Sequence, residues 1–250
     1  MIRWTTAFVD RPAASFTSAR TFWQRVTATT LSEVRGEQGE FSTFVPIGAD
    51  AFLRLQRVDH GPGGTHLDLH VDDIPASTAV AEDLGATRVA EHDGVTVLRS
   101  PGGLTFCLVA HHGESNRPAP VGRPGARTLV DQVCIDIAPD RFDTDCDFWA
   151  ALTGWELADG REPEFRVLRR PPTMPLRFLL QRRGDADRGR DAECHLDLAC
   201  DDVDLAERAH TVLGATLVKR NPWWAVMEDP AGLSYCLTAR SPDTGLPASL

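Results

Sequence analysis

Five ionisable side chains stand at alternate positions in two short segments: His66, Asp68 and His70 in His66-Leu-Asp-Leu-His70, and His195 and Asp197 in His195-Leu-Asp-Leu-Ala199. Leucines fill the positions between them. On an extended backbone, whose side chains alternate between faces, the ionisable groups share one face and the leucines the other. An apolar interior accepts imidazole beside carboxylate only where the two are paired or serve a ligand. A neutral imidazole at the start of an inward-facing strand is a credible ligand for a divalent metal. Equally, each His–Asp pair can be a hydrogen-bonded feature of the scaffold, which a duplication would preserve as readily as a site.

Few other residues offer chemistry. Gly-x-Ser-x-Gly, P-loop and Rossmann glycine patterns are absent. Asp72-Asp73 and Asp201-Asp202 are neighbours in sequence, so on a strand they face opposite sides, and they read as helix N-caps. The six cysteines contain no Cys-x-x-Cys pair and read as small buried hydrophobes. The stretch Arg182–Asp191 alternates sign and reads as a solvated loop. Trp23 and Trp149 end the apolar faces of their helices and are assigned to the core. Trp223 and Trp224 are consecutive, so one of them faces a pocket or an interface, where an indole stacks on planar ligands. Trp4 is expected to do the same in the first half.

The elements that must position these groups come from a duplication. Leu84-Gly-Ala-Thr87 returns as Leu213-Gly-Ala-Thr216, and Pro101-Gly-Gly-Leu-Thr-Phe-Cys-Leu108 as Pro230-Ala-Gly-Leu-Ser-Tyr-Cys-Leu237. His66–Ile74 returns as His195–Val203, all at one offset, and Phe22-Trp23 returns as Phe148-Trp149. With 250 residues, 42% hydrophobic and 25% charged, the chain has material for two ordinary domains. The bounds expected are 1–112 and 126–240, with a Pro/Gly-rich linker at 113–125 and a tail at 241–250. Opening strands are expected near Thr5–Val9 and Val130–Ile137, and helices over Phe16–Val26 and Asp140–Leu152. Strand pairs follow near Phe41–Val45 and Phe52–Val58, and near Glu164–Leu168 and Leu176–Arg182. Then comes a strand at His66–Val71, a short helix begun at Asp73 and ended at Gly85, and strands near Thr87–Glu91, Val95–Arg99 and Leu104–Val109, with the same order in the second half.

The net charge of −10 divides into 11 basic against 14 acidic residues up to residue 125 and 15 against 22 after it. Neither half has the positive excess that nucleic-acid binding requires. The apolar runs are too short to span a bilayer, and the N-terminus lacks a secretory core, so no membrane partner and a cytoplasmic location are expected.

With the repeated Phe-Trp, His-Leu-Asp-Leu, Asp-Asp, Leu-Gly-Ala-Thr and Pro-x-Gly-Leu motifs in register, the sequence resembles the vicinal oxygen chelate superfamily. Within it, the chain is similar to the glyoxalase-like and bleomycin-resistance-like branch, in both halves. The resemblance implies an α+β fold of tandem duplicated glyoxalase-like domains, each two βαβββ modules whose mixed sheets curl into a cup around a small molecule. It implies metal-ligand positions at His66 and Gln56 in the first copy, with Thr6 on the opening strand, and at His195, Gln132 and Gln181 in the second. It also implies a closing-strand carboxylate two residues before the cysteine, where Thr105 and Ser234 stand.

Without that carboxylate, the reading is a protein that binds a small aromatic or amphipathic molecule, for sequestration or resistance, through His66, Asp68, His195, Asp197, Trp223 and Trp224. This needs no cofactor. The alternative is a metal-dependent lyase, isomerase or dioxygenase centred on the second copy, holding zinc, iron, manganese or nickel. Catalytic residues are not assigned. The expected partners are the ligand and, as an option, a second copy in a homodimer. Pocket walls are expected around residues 30–40 and 155–163.

Overall fold

The computed structural model describes residues 1–247. Residues 248–250, the end of the segment read as a tail, lie outside the described residues. One element order occurs four times. The first module is β1 (Ile2–Pro12), α1 (Phe16–Val26), β2 (Thr30–Leu31), β3 (Phe41–Val45) and β4 (Leu53–Val58). The second is β5 (Gly64–Val71), α2 (Ile74–Asp83), β6 (Thr87–His92), β7 (Val95–Arg99) and β8 (Thr105–Ala110). The third is β9 (Thr128–Ile137), α3 (Phe142–Thr153), β10 (Glu156–Asp159), β11 (Phe165–Arg169) and β12 (Arg177–Arg182). The fourth is β13 (Glu193–Cys200), α4 (Val203–Val212), β14 (Thr216–Arg220), β15 (Trp224–Glu228) and β16 (Ser234–Thr238).

The strands form two eight-stranded sheets, ordered β2-β3-β4-β1-β5-β8-β7-β6 and β10-β11-β12-β9-β13-β16-β15-β14. Both are mixed, because β5 runs parallel to β8 and β13 to β16 while the hairpins are antiparallel. Neither order closes into a ring. Asp73 and Asp202 cap α2 and α4, accepting from the Ala76 and Leu205 amides at 2.9 Å each. Two strands fall where the sequence carries no alternation. β2 and β10 exist through pairing, Thr30 against Val45 and Glu156 against Arg169. They occupy parts of the segments expected to wall the pocket. Asp185–Asp187 forms a single 3-10 turn inside the charged stretch.

The chain clusters into two compact units that draw on both halves. One comprises residues 1–7, 66–115 and 133–194, the other 8–65, 116–132 and 195–250. In the first unit, α3 sets Trp149 edge-on to Phe106 with centroids 5.1 Å apart. In the second, α1 sets Trp23 against Tyr235 at 5.3 Å. Such pairs add about 0.5–1.5 kcal/mol each beyond area burial. Each indole N–H needs an acceptor in the interior. Trp23 Nε1 donates to Asp229 Oδ2 (2.9 Å) and Trp149 Nε1 to Asp145 Oδ2 (3.1 Å). The assignment of both indoles to the core holds. Trp4 is also wholly buried, so it offers no open ring. All six cysteines are free thiols, and burial pushes Cys146 and Cys200 up to about 12.

The core of the second unit includes a histidine. His210 of α4 is buried, with Nδ1 2.9 Å from the Tyr235 hydroxyl. Burial keeps the phenol protonated, so its O–H donates and Nδ1 accepts. Burial also lowers the His210 pKa from 6.5 to about 4. The folded state therefore resists a proton that the unfolded chain binds below pH 6.5. Stability attributable to His210 is unaffected above that value and falls by about 3 kcal/mol as pH drops to 4. Urea denaturation from pH 7 to 4.5 should show a steeper loss for the native chain than for His210→Gln. Equal slopes would contradict this.

Candidate functional site

The polar face of the second sheet is assembled by register. Asp197 of β13 pairs with Cys236 of β16, so their side chains share a face. Across β16, Val226 pairs with Cys236 and Trp224 with Thr238, which puts Trp224 on that face as well. Trp223, one residue earlier, precedes β15. Of the tandem indoles it is thus Trp224 that shares the face of Asp197 and Cys236, opposite Thr238 and level with Ala199.

His195 Nε2 lies 3.2 Å from Asp197 Oδ1 and 3.6 Å from Cys236 Sγ. Asp197 is 2% exposed, and the Gln132 side-chain amide donates to its Oδ2. Asp197 Oδ1 is buried and has no hydrogen bond of acceptable geometry among the described residues. A carboxylate oxygen so placed can accept from a ligand hydroxyl or bind a cation. Carboxylate and thiol both approach Nε2. A nucleophile–base–orienter relay instead divides them between the two ring nitrogens. The geometry is therefore one of three donors converging on a point, and the donor atoms of His195, Asp197 and Cys236 all lie within 4.8 Å of one another.

The first sheet repeats the theme more loosely. His66 Nε2 is 4.0 Å from Asp68 Oδ1, and Asp68 pairs with Cys107 in the β5–β8 register. His66, Asp68 and Cys107 also place donor atoms within 4.8 Å of one another. Thr6 lies elsewhere: its hydroxyl is 2.9 Å from His70 Nε2.

The side chain facing each histidine from the closing strand is thus Cys107 or Cys236. Ser234 stands exposed at the edge of β16, and Thr105 begins β8. Sequence reasoning looked two residues earlier, to Thr105 and Ser234; the parallel register is what sets Cys107 and Cys236 opposite Asp68 and Asp197. Gln132 is engaged by Asp197, so its amide serves the carboxylate. Gln181 Oε1 accepts from the Cys134 thiol at 3.5 Å, and Gln56 pairs with Phe41 on the neighbouring strand.

The segment read as a linker is docked. The Asn116 amide donates to Asp50 Oδ2 (2.8 Å) and its side chain to the Gly48 carbonyl (2.7 Å). Beside it lies an apolar cavity of about 340 Å³, walled by Val26, Phe44, Phe52, Leu53, Pro118 and Val121 among others, and lined by no ionisable group.

Paired βαβββ modules in mixed eight-stranded sheets, with histidines at the starts of β5 and β13, define a vicinal oxygen chelate fold. A family model described as a glyoxalase-like domain matches residues 6–109 and again 132–238, so the chain belongs to the glyoxalase-like domain family, in two tandem copies. No curated protein sequence matches it. Among solved structures it is similar to the Mn(II)-bound glyoxalase from Novosphingobium aromaticivorans (18% identity, TM-score 0.63, covering 95% of this chain and 81% of that one). It is also similar to 2,2',3-trihydroxybiphenyl 1,2-dioxygenase from Sphingomonas wittichii strain RW1 (17% identity, TM-score 0.64, 95% and 90%). At these identities the likeness concerns the fold. Among the described residues no helix is long and apolar enough to cross a membrane.

Proposed function

We propose that the chain binds a small aromatic or amphipathic molecule on the polar face of its second sheet, at His195, Asp197 and Trp224. The observation that carries this reading is the buried Asp197 Oδ1, which makes no hydrogen bond of acceptable geometry among the described residues although it lies 3.2 Å from His195 Nε2. A ligand hydroxyl would donate to that oxygen, His195 would meet a second polar atom, and the Trp224 ring would stack on a planar body. His66 and Asp68 offer a looser counterpart in the first sheet, and Trp223 belongs to the rim.

A second reading is favoured by Cys236. Thiolate, imidazole and carboxylate are the donor types of zinc and related ions, and here they come together around His195. Asp197 and Cys236 would supply the negative charge that the expected glutamine set lacks. A divalent ion held there would polarise vicinal oxygens of a bound molecule, the chemistry of a lyase, isomerase or dioxygenase. Gln132 would keep Asp197 oriented, and the burial of Asp197 would limit competing water.

Elemental analysis of the untagged chain, purified without chelator, separates the two. The binding reading expects His195→Ala to leave the bound-metal content unchanged. Loss of one equivalent of zinc, iron, manganese or nickel on His195→Ala would replace it with the metal-dependent one.

A further inference from the structure

A second donor cluster lies at the far end of β5, away from His66, and the fold builds it deliberately. β5 and β8 are parallel, with His70 opposite Val109 and Val71 opposite Ala110. The His111 amide donates to the Val71 carbonyl at 3.0 Å, which carries the chain past β8 alongside the end of β5. Gly113 then adopts φ +100°, a left-handed turn that a side chain would strain, and Glu114 folds back. The His112 amide donates to Glu114 Oε2 at 3.0 Å and fixes the carboxylate.

The result is two imidazoles and a carboxylate. Glu114 Oε2 is 3.1 Å from His111 Nδ1, and Glu114 Oε1 is 3.6 Å from His70 Nδ1. All three donor atoms fall within 4.8 Å of one another. A contact of 3.6 Å is too long for a hydrogen bond. It suits the edge of a tetrahedron around an ion with bonds of about 2.0–2.1 Å, where neighbouring ligands lie roughly 3.3–3.4 Å apart. His111 Nδ1 is buried and makes no hydrogen bond of acceptable geometry among the described residues. At His70, Nε2 is 2.9 Å from the Thr6 hydroxyl, which can accept its N–H and so leave the Nδ1 lone pair directed at Glu114. An outer partner of this kind is what orients a metal-binding imidazole. Side-chain exposure is 1% for His70, 14% for His111 and 18% for Glu114, a sheltered cluster.

The second half answers the same position differently. At the offset that relates His66 to His195, Ala199 replaces His70, Arg240 replaces His111 and Asp243 replaces Glu114. Arg240 is buried there, a permanent cation bonded to Asp131 through two 2.7 Å contacts. Where the second half carries a guanidinium, the first presents two imidazoles and a carboxylate.

We propose that His70, His111 and Glu114 form a binding site for a divalent transition-metal ion, with zinc as the reference ion, separate from the face proposed above for the ligand.

The test uses the full chain, untagged and stripped with chelator, titrated with Zn²⁺ by calorimetry and with Co²⁺ by absorption. The expected result is one equivalent of Co²⁺ with ligand-field bands and no thiolate charge transfer. Affinity should fall about 100-fold or more in both His111→Ala and Glu114→Gln, and stay unchanged in His195→Ala and Cys236→Ser. Glu114→Gln preserves size, so a native melting profile in it separates loss of a ligand from loss of fold. No binding, binding indifferent to Glu114→Gln, or a thiolate band lost with Cys236 would overturn the proposal. The last outcome would support the metal-dependent reading of the His195 face, so the two fail separately.

Discussion

Replacing Asp229 with alanine should cost roughly 3–5 kcal/mol of stability, the expected penalty for stranding one member of a buried ion pair. Asp229 is fully buried, and Arg11, its partner, is 2% exposed. Arg11 Nε and Nη2 both reach Asp229 Oδ2 at 2.7 Å, and the Trp23 indole donates to the same oxygen at 2.9 Å. The other oxygen accepts the Ala231 and Leu233 amides at 2.8 and 3.2 Å and thereby shapes the turn between β15 and β16. Alanine removes every one of these acceptors and leaves a guanidinium in the interior. Burial already pulls the Arg11 pKa below its ordinary value, with Asp229 opposing that pull. Urea denaturation reads the effect. A loss under about 1 kcal/mol, the range of an exposed pair, would mean the guanidinium reaches water.

Asp131→Ala should be as damaging, for a related reason in a different place. Asp131 on β9 is wholly buried and takes a bidentate grip from Arg240, which has 10% side-chain exposure. Breaking the pair costs roughly 3–5 kcal/mol, while replacing both members with apolar groups of similar size is often close to neutral. The variant carrying Asp131→Leu and Arg240→Met should therefore recover most of what Asp131→Ala loses. If the double variant is no more stable than the single one, desolvation of a lone arginine is not the source of the penalty. The pair is peculiar to the second half, since Thr5 stands where Asp131 would have a counterpart and His111 where Arg240 would.

That asymmetry marks where sequence reading reached and where it stopped. α1, β3 and β7 were legible to the residue, because apolar spacing and turn residues bound them on both sides. The N-caps Asp73 and Asp202 were legible from the helices they precede. β2 and β10 were not, since their identity lies in what they pair with. The inward set on β5 and β13 followed from period-two alternation. What faced that set did not: choosing Cys236 over Ser234 requires the register of two parallel strands that are far apart in sequence. His111 and Glu114 went unnoticed because they follow β8 in a stretch read as loop and linker. They meet His70 only through the parallel ends of β5 and β8 and the turn at Gly113. Local pattern carried the elements, and long-range pairing decided the chemistry.

The central claim is that the His195–Asp197 face of the second sheet is the ligand site. A thermal-shift panel of catechols, phenols and other small planar molecules, run in parallel on the native chain, His195→Ala and Asp197→Asn, tests it most directly. A ligand at a hundred times its Kd contributes about 2.7 kcal/mol, and each kcal/mol moves the midpoint by about 2–4 °C for a chain of this size. The expected result is a class of compound that raises the native midpoint by several degrees and leaves both variants unmoved. A panel that shifts nothing, or shifts all three proteins alike, would contradict it.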